Sequence, residues 1–271
     1  MRRSFIDARI EAMLTLCERH GVKLPPFAHW SERDFRADRE AAGFIAARGL
    51  GWNVVEFKPG HFATDGLTLF TLRMGDWRQP EARGGRLYAE KAIMSEDGQR
   101  APHHYHVVKT EDIVNRGGAR FVVELFKVDR AGEPVKERFR ALKDVTMLDL
   151  GPGDQVRLEP GESLTLEPYV AHAFWAEGGA AIAGEVSLVN DDRADNYFVP
   201  GLEPPRPIEE DAPARRLTVR DYERLRAESL LIESPAVSVS FPGARKRGPG
   251  GGGGAASRRS PVAHCDLRGA P

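Results

Sequence analysis

Cysteine is nearly absent. The 271-residue chain has two, Cys17 and Cys265, one near each end. This excludes a disulfide framework and the paired spacing of a zinc knuckle. Cys17 falls on the apolar face of an expected helix, where a buried thiol is the plain reading. Long apolar runs are also missing: none approaches the ~18 residues of a membrane helix. The Arg pair of "MRRSFIDARIEAML" is not followed by a continuous apolar stretch, because Asp7, Arg9 and Glu11 interrupt it. No leader is read there. Neither charge sign dominates, with 39 Lys and Arg against 40 Asp and Glu. That leaves no electrostatic footprint for nucleic acid and no polybasic face for an anionic membrane. The expectation is a soluble, cytoplasmic protein with neither kind of partner.

What is present divides the chain. "SFIDARIEAMLTLCERHG" has its apolar residues at helical spacing, with Ser4 a candidate N-cap and Gly21 a stop. Ser31, with Asp34 three residues on, predicts a second helix running to about Ala47. From Trp52 the period changes. "NVVEF", "LTLFTLRMG", "RLYAEKAIMS", "HHYHVVK", "RFVVELFKV", "VTMLDL", "QVRLEP", "ESLTLEP", "AHAFWAE", "AIAGEVSLVN" and "NYFV" read as short β runs punctuated by Gly, Pro, Asp and Asn. The expected fold is mainly β, an antiparallel barrel or sandwich behind an N-terminal helical segment. Residues 1–50 would form that segment and 51–217 the barrel. Residues 218–234 would add a helix capped by Thr218, and the Gly-rich 243–271 would be disordered.

"GQRAPHHYHVVKTEDIVNRGG" concentrates the chemistry. Alternate residues of a strand share a face, so His104 and His106 project together and His103 projects away. Glu111 follows after a short turn, and His172 lies in the strand-like "YVAHAFWAE". Three neutral imidazoles and a carboxylate suit a divalent first-row metal and leave coordination positions open for a substrate.

The spacing Gly98, His104, His106, Glu111, Gly118 resembles the first motif of the cupins, and Gly161, Pro168 and His172 resemble a looser second motif. The resemblance implies a cupin-type, jelly-roll-like barrel with His104, His106, Glu111 and His172 as metal ligands. "KLPPFAHWS", "GLGWNVVEF", "LTLFTLRMG", "EKAIMSEDGQRAPHHYHVVKTEDIVNRGG" and "GEVSLVNDDRADNYF" together resemble the D-lyxose isomerase family, over about Arg3 to Leu217. That implies a ketol-isomerase converting D-lyxose to D-xylulose, and D-mannose to D-fructose, through an enediol(ate). A sugar would offer two oxygens to the metal while a base moves a proton between C2 and C1. No redox change is needed, so Mn(II) is the first expectation, with zinc, cobalt or iron able to use the same ligands.

Glu185, Lys109 and Lys91 are the candidates for proton transfer. For Glu185 a solvent-facing strand position is the competing reading, and for each lysine outward solvation is the default. Asp191, Asp192 and Asp195 are candidates for bonding sugar hydroxyls or fixing Arg193, and Trp175 and Phe198 for walling the pocket. A homodimer is expected by analogy with other cupins. Three other readings compete. One is a phosphosugar isomerase, with a cationic clamp drawn from Arg73, Arg116 and Arg120. The others are a cupin oxygenase and a non-catalytic sugar-binding cupin.

Overall fold

Helix α1 (Arg3–Arg19) ends as Gly21 predicts. Gly21 has φ 71°, its N–H reaches Glu18 O at 3.1 Å, and that of Val22 reaches Cys17 O at 2.8 Å. This pair of bonds closes the last turn. The start differs from expectation: Arg2 occupies the cap position. Ser4 sits inside the helix, where its N–H and hydroxyl both bond Asp211, at 2.9 and 2.6 Å. A carboxylate from far along the chain satisfies the donor that a local cap would have served. The Ser31–Asp34 capping box is present, but the second helix breaks into α2 (Glu32–Ala37) and α3 (Arg39–Ala47). At the break the Asp38 side chain caps the new start by accepting from the Ala41 N–H at 3.0 Å.

The computed structural model describes residues 1–76, 86–189, 194–199, 202 and 205–232. Asp191, Asp192, Arg193 and the 243–271 tail lie outside them. Among the described residues are eleven strands: β1 (Gly51–Glu56), β2 (Gly66–Met74), β3 (Tyr88–Ser95), β4 (Ala101–Tyr105), β5 (Glu111–Lys127), β6 (Phe139–Lys143), β7 (Thr146–Leu150), β8 (Asp154–Leu158), β9 (Ser163–Leu166), β10 (Val170–Leu188) and β11 (Tyr197–Phe198). A helix α4 (Tyr222–Ala227) follows a 3-10 turn that Thr218 and Asp221 box at its start. No described helix is long and apolar enough to cross a membrane.

All strand pairs are antiparallel, and β5 and β10 pair along nearly their whole lengths. The register slips between the Glu177–Arg120 and Ala181–Gly118 pairs, beside Gly117, Gly118, Gly178 and Gly179, all four at positive φ. A Cβ on Gly118 would stand 2.4 Å from Ala180 O, so only glycine fits this crossing. Asn115 pins the corner: its amide donates to Ala119 O and Leu158 O, at 2.9 and 2.8 Å, and its oxygen accepts from the Gly117 N–H. Beyond the corner both strands enter a second sheet. One sheet runs β1-β2-β3-β10-β5-β9-β6-β7, and the other halves of β10 and β5 carry β4, β11 and β8. Two antiparallel sheets sharing their central strands make a cupin-type jelly roll. Phe121, Val123, Leu125, Leu158, Leu164 and Phe174 fill the space between them. The α1 residues Ile6, Ile10, Met13 and Cys17 cover the first sheet's outer face against Trp52, Phe70 and Ile182. Cys17 is buried, and burial pushes its thiol up to about 11.

A buried ion pair ties the ends of this unit together. The Arg3 guanidinium donates to both Asp221 oxygens, at 3.1 and 2.6 Å, and to Glu210 at 2.8 and 2.7 Å. Arg3 and Asp221 are 2% and 6% exposed. Removing one partner strands the other charge away from water. Arg3→Met is expected to lower the unfolding free energy in urea by about 3–5 kcal/mol; a loss below ~1 kcal/mol would show the pair to be dispensable.

Candidate metal centre

Along each central strand the inward face changes from apolar to ionisable toward one end of the barrel. Ile93 gives way to Lys91, Ile113 to Glu111, Ala183 to Glu185 and Phe174 to His172, in each case two residues along, which preserves the face. His104 comes from β4, directly across from His172. His106 ends the same segment, and Glu111 opens β5 opposite Ser187. One ligand atom from each of His104, His106, Glu111 and His172 lies within 4.8 Å of the others, so this group can hold a metal ion.

The ring orientations bear on whether it would. Each histidine turns Nδ1 to a main-chain carbonyl: His104 to Pro102 O at 2.9 Å, His172 to Val170 O at 3.1 Å, and His106 to Asp195 O. A carbonyl can only accept, so Nδ1 carries the proton and Nε2 keeps its lone pair for the centre. Nε2 of His106, Nε2 of His172 and Oε1 of Glu111 are buried without a hydrogen-bond partner. Three inward electron-pair donors left unpaired are what a bound cation would satisfy. Burial, reinforced by His172 and His106, holds His104 well below the ordinary histidine range and so keeps it neutral. Burial alone would raise the Glu111 carboxyl, but the Lys109 ammonium beside it holds it well below the usual carboxylate range. The donor set is three imidazoles and one carboxylate, which fits a divalent first-row ion.

Beside it runs a chain of alternating charge. Lys109 Nζ lies 2.7 Å from Glu111 Oε2 and 2.9 Å from Glu185 Oε1. Lys91 Nζ reaches the same Glu185 oxygen at 3.1 Å, and the Ser187 hydroxyl reaches it at 3.2 Å. The default of outward solvation is therefore wrong for both lysines, which are 7% (Lys91) and 2% (Lys109) exposed. Buried carboxylates compensate them, which solvent-facing positions would not require. Glu185 likewise faces inward and not to solvent.

The other predicted residues divide. The Phe198 ring centroid is 5.4 Å from that of His104, beside the cluster. Trp175 does not wall the site. Strand alternation puts it on the face of β10 opposite His172 and Phe174, and the Arg100 guanidinium covers its ring at 4.6 Å. His103 points away as expected, toward Glu124 at 3.1 Å. Asp191 and Asp192 lie outside the described residues. Asp195 is buried and bonds three consecutive main-chain N–H groups of residues 107–109; Arg193 lies outside the described residues. Ser187 was missed, although its spacing of two from Glu185 places it on the same face.

The model of the D-lyxose isomerase family matches residues 1–222. The chain belongs to that family. It is 38% identical to a D-lyxose/D-mannose isomerase of Escherichia coli O157:H7 over 232 residues, covering 83% of this chain and 100% of the relative. It is also 38% identical to one from Serratia proteamaculans over 228 residues, covering 83% and 99%. Among solved structures, the L-ribose isomerase of Cellulomonas parahominis without ligand aligns with a TM-score of 0.49 at 15% identity, over 73% of this chain and 92% of that one. That of Acinetobacter sp. DL28 with L-ribose aligns at 0.46 and 13%, over 80% and 97%. Family membership makes this chain a sugar isomerase.

In this D-lyxose isomerase family member, losing an outer partner of a metal ligand should cost ~10–100-fold in affinity, and losing the ligand itself at least that. His172→Ala, dialysed against chelator and reloaded with Mn(II), is expected to bind less than a tenth of the wild-type metal by elemental analysis. Full metal content would remove His172 from the ligand set.

Proposed function

We propose that the protein is a metal-dependent aldose–ketose isomerase acting on unphosphorylated D-lyxose, and on D-mannose, with His104, His106, Glu111 and His172 as ligands. The observation that carries this reading is the convergence of four metal-ligand side chains with the buried Lys91–Glu185–Lys109 chain inside one barrel end. A divalent cation bound by the four would act as a Lewis acid toward the carbonyl and neighbouring hydroxyl of the open-chain sugar.

Glu185 is the proposed base. It takes the proton from C2 of the aldose and returns it to C1 of the enediol(ate), while the hydroxyl proton of O2 passes to O1, so that C2 becomes the ketose carbonyl and C1 its hydroxymethyl carbon. The three hydrogen bonds described for its carboxylate all fall on Oε1, which supports Oε2 as the proton-carrying oxygen. Lys109 and Lys91 hold that carboxylate in place, and Lys109 also ties it to Glu111. Phe198 shields the His104 side of the site from water.

A phosphosugar substrate is disfavoured by the three arginines that would have clamped it. Arg73 pairs with Glu90, Arg120 with Glu159 and Glu177, and Arg116 is exposed. Mn(II) as the native ion, a cytoplasmic location and a homodimer complete the proposal. Exposed Tyr88, Val186 and Leu188 on adjoining strands β3 and β10 support self-association.

Two measurements test it. Metal-free protein reloaded with Mn(II) is expected to form xylulose from D-lyxose and fructose from D-mannose; no ketose with any divalent ion, from folded protein, would sink the proposal. Glu185→Gln is expected to lower kcat ~10²–10⁴-fold with KM changed only a few-fold. Near-normal turnover would move the base role to another group.

A further inference from the structure

Residues 107–110 lead from β4 in the second sheet to β5 in the first, and residues 194–196 stand immediately before β11 in the second. The 107–110 turn carries Lys109 and is flanked by the ligands His106 and Glu111. Val108, at the turn's apex, is 65% exposed, while Lys109 beside it is buried.

Asp195, just before β11, grips this turn. The Asp195 carboxylate accepts from Val107 N–H at 2.7 Å, from Val108 N–H at 3.2 Å to either oxygen, and from Lys109 N–H at 3.0 Å. These three successive donors form an anion-binding concavity, with a side chain of the same protein as its anion. The Asp195 main-chain carbonyl meanwhile receives His106 Nδ1. Three residues on, Phe198 pairs with His104 in the β4–β11 ladder, and Val199 N–H bonds His103 O at 2.8 Å. The six residues 194–199 thus touch both histidines of the His104–His106 pair and the main chain of Lys109. Asp195 is 6% exposed.

We infer that Asp195 is a positioning residue for the metal centre: it lashes the 107–109 turn so that His106 presents Nε2 to the ligand set and the Lys109 ammonium sits between Glu111 and Glu185. Without its carboxylate, three neighbouring N–H groups lose their acceptor and the turn relaxes toward solvent. This inference rests on the metal-site reading above but not on the identity of the sugar.

The test uses the full chain as wild type, Asp195→Asn and Asp195→Ala. Mn(II) affinity is measured on chelator-stripped protein by competition with a fluorescent chelator, beside thermal unfolding of the metal-free forms and steady-state kinetics. In Asp195→Ala, Mn(II) affinity is expected to fall ~10–100-fold. Asp195→Asn, which keeps one acceptor oxygen, is expected to fall between it and wild type. Where turnover is measurable, kcat is expected to drop more than KM rises. Mn(II) affinity and kcat within twofold of wild type in Asp195→Ala, or in Asp195→Asn where the alanine variant does not fold, would overturn the inference even if the melting temperature drops. The affinity readout needs no sugar. A wild type that binds Mn(II) but forms no ketose, with Asp195→Ala binding tenfold more weakly, would therefore overturn the isomerase reading and uphold this one.

Discussion

The pairing of β5 with β10 is the constraint on which the rest depends. Both strands turn from one sheet into the other at a register slip flanked by a glycine pair on each strand, and Asn115 holds that corner. Because they turn together, residues equally far from the corner come to face one another across the interior. His172 stands six residues before Gly178 and Glu185 six after Gly179. The glycines are far from these residues, yet they decide that the two halves of β10, one carrying His172 and the other Glu185, turn their ionisable side chains into the same barrel end. A side chain at Gly118 would strike the main chain of Ala180 and open that angle.

On this frame the barrel interior is divided by function. One end is an ordinary apolar core around Phe121, Phe174 and Leu164, which supplies the hydrophobic stabilisation of the fold. The other end buries two lysines and two glutamates with three histidines, an arrangement that costs stability unless every charge has a partner. The partners are there: Glu111 and Glu185 bracket Lys109, and Lys91 closes the row. What stays unpaired are the electron-pair donors aimed at the common centre. A fold that satisfies its buried charges but leaves those atoms open has built a place for a cation.

The helices and the carboxy-terminal segment do a different job. They cover one outer face of the barrel and are fastened to each other through Arg3, Asp7, Asp211 and Asp221. These contacts span more than 200 positions, so no local pattern announces them. That is why Ser4 read as a cap and proved to be a tertiary anchor.

Much of the site was legible in the chain. The alternation of His104 and His106, the nearby Glu111 and the similarity to known cupin segments pointed to a metal cluster, since strand geometry has a period of two wherever the strand lies. The near-absence of cysteine and the balance of charge also shaped the expectations from the sequence, because composition is set before any fold forms. The sequence could not show that β5 and β10 are continuous, because glycine pairs that end a run in one dimension bend it in three. Nor could it orient Lys91, Lys109 and Trp175, or reveal that Asp195 holds the turn beside His106. Those outcomes depend on which residues meet across the barrel. That is set by register and sheet curvature, properties that no single segment carries.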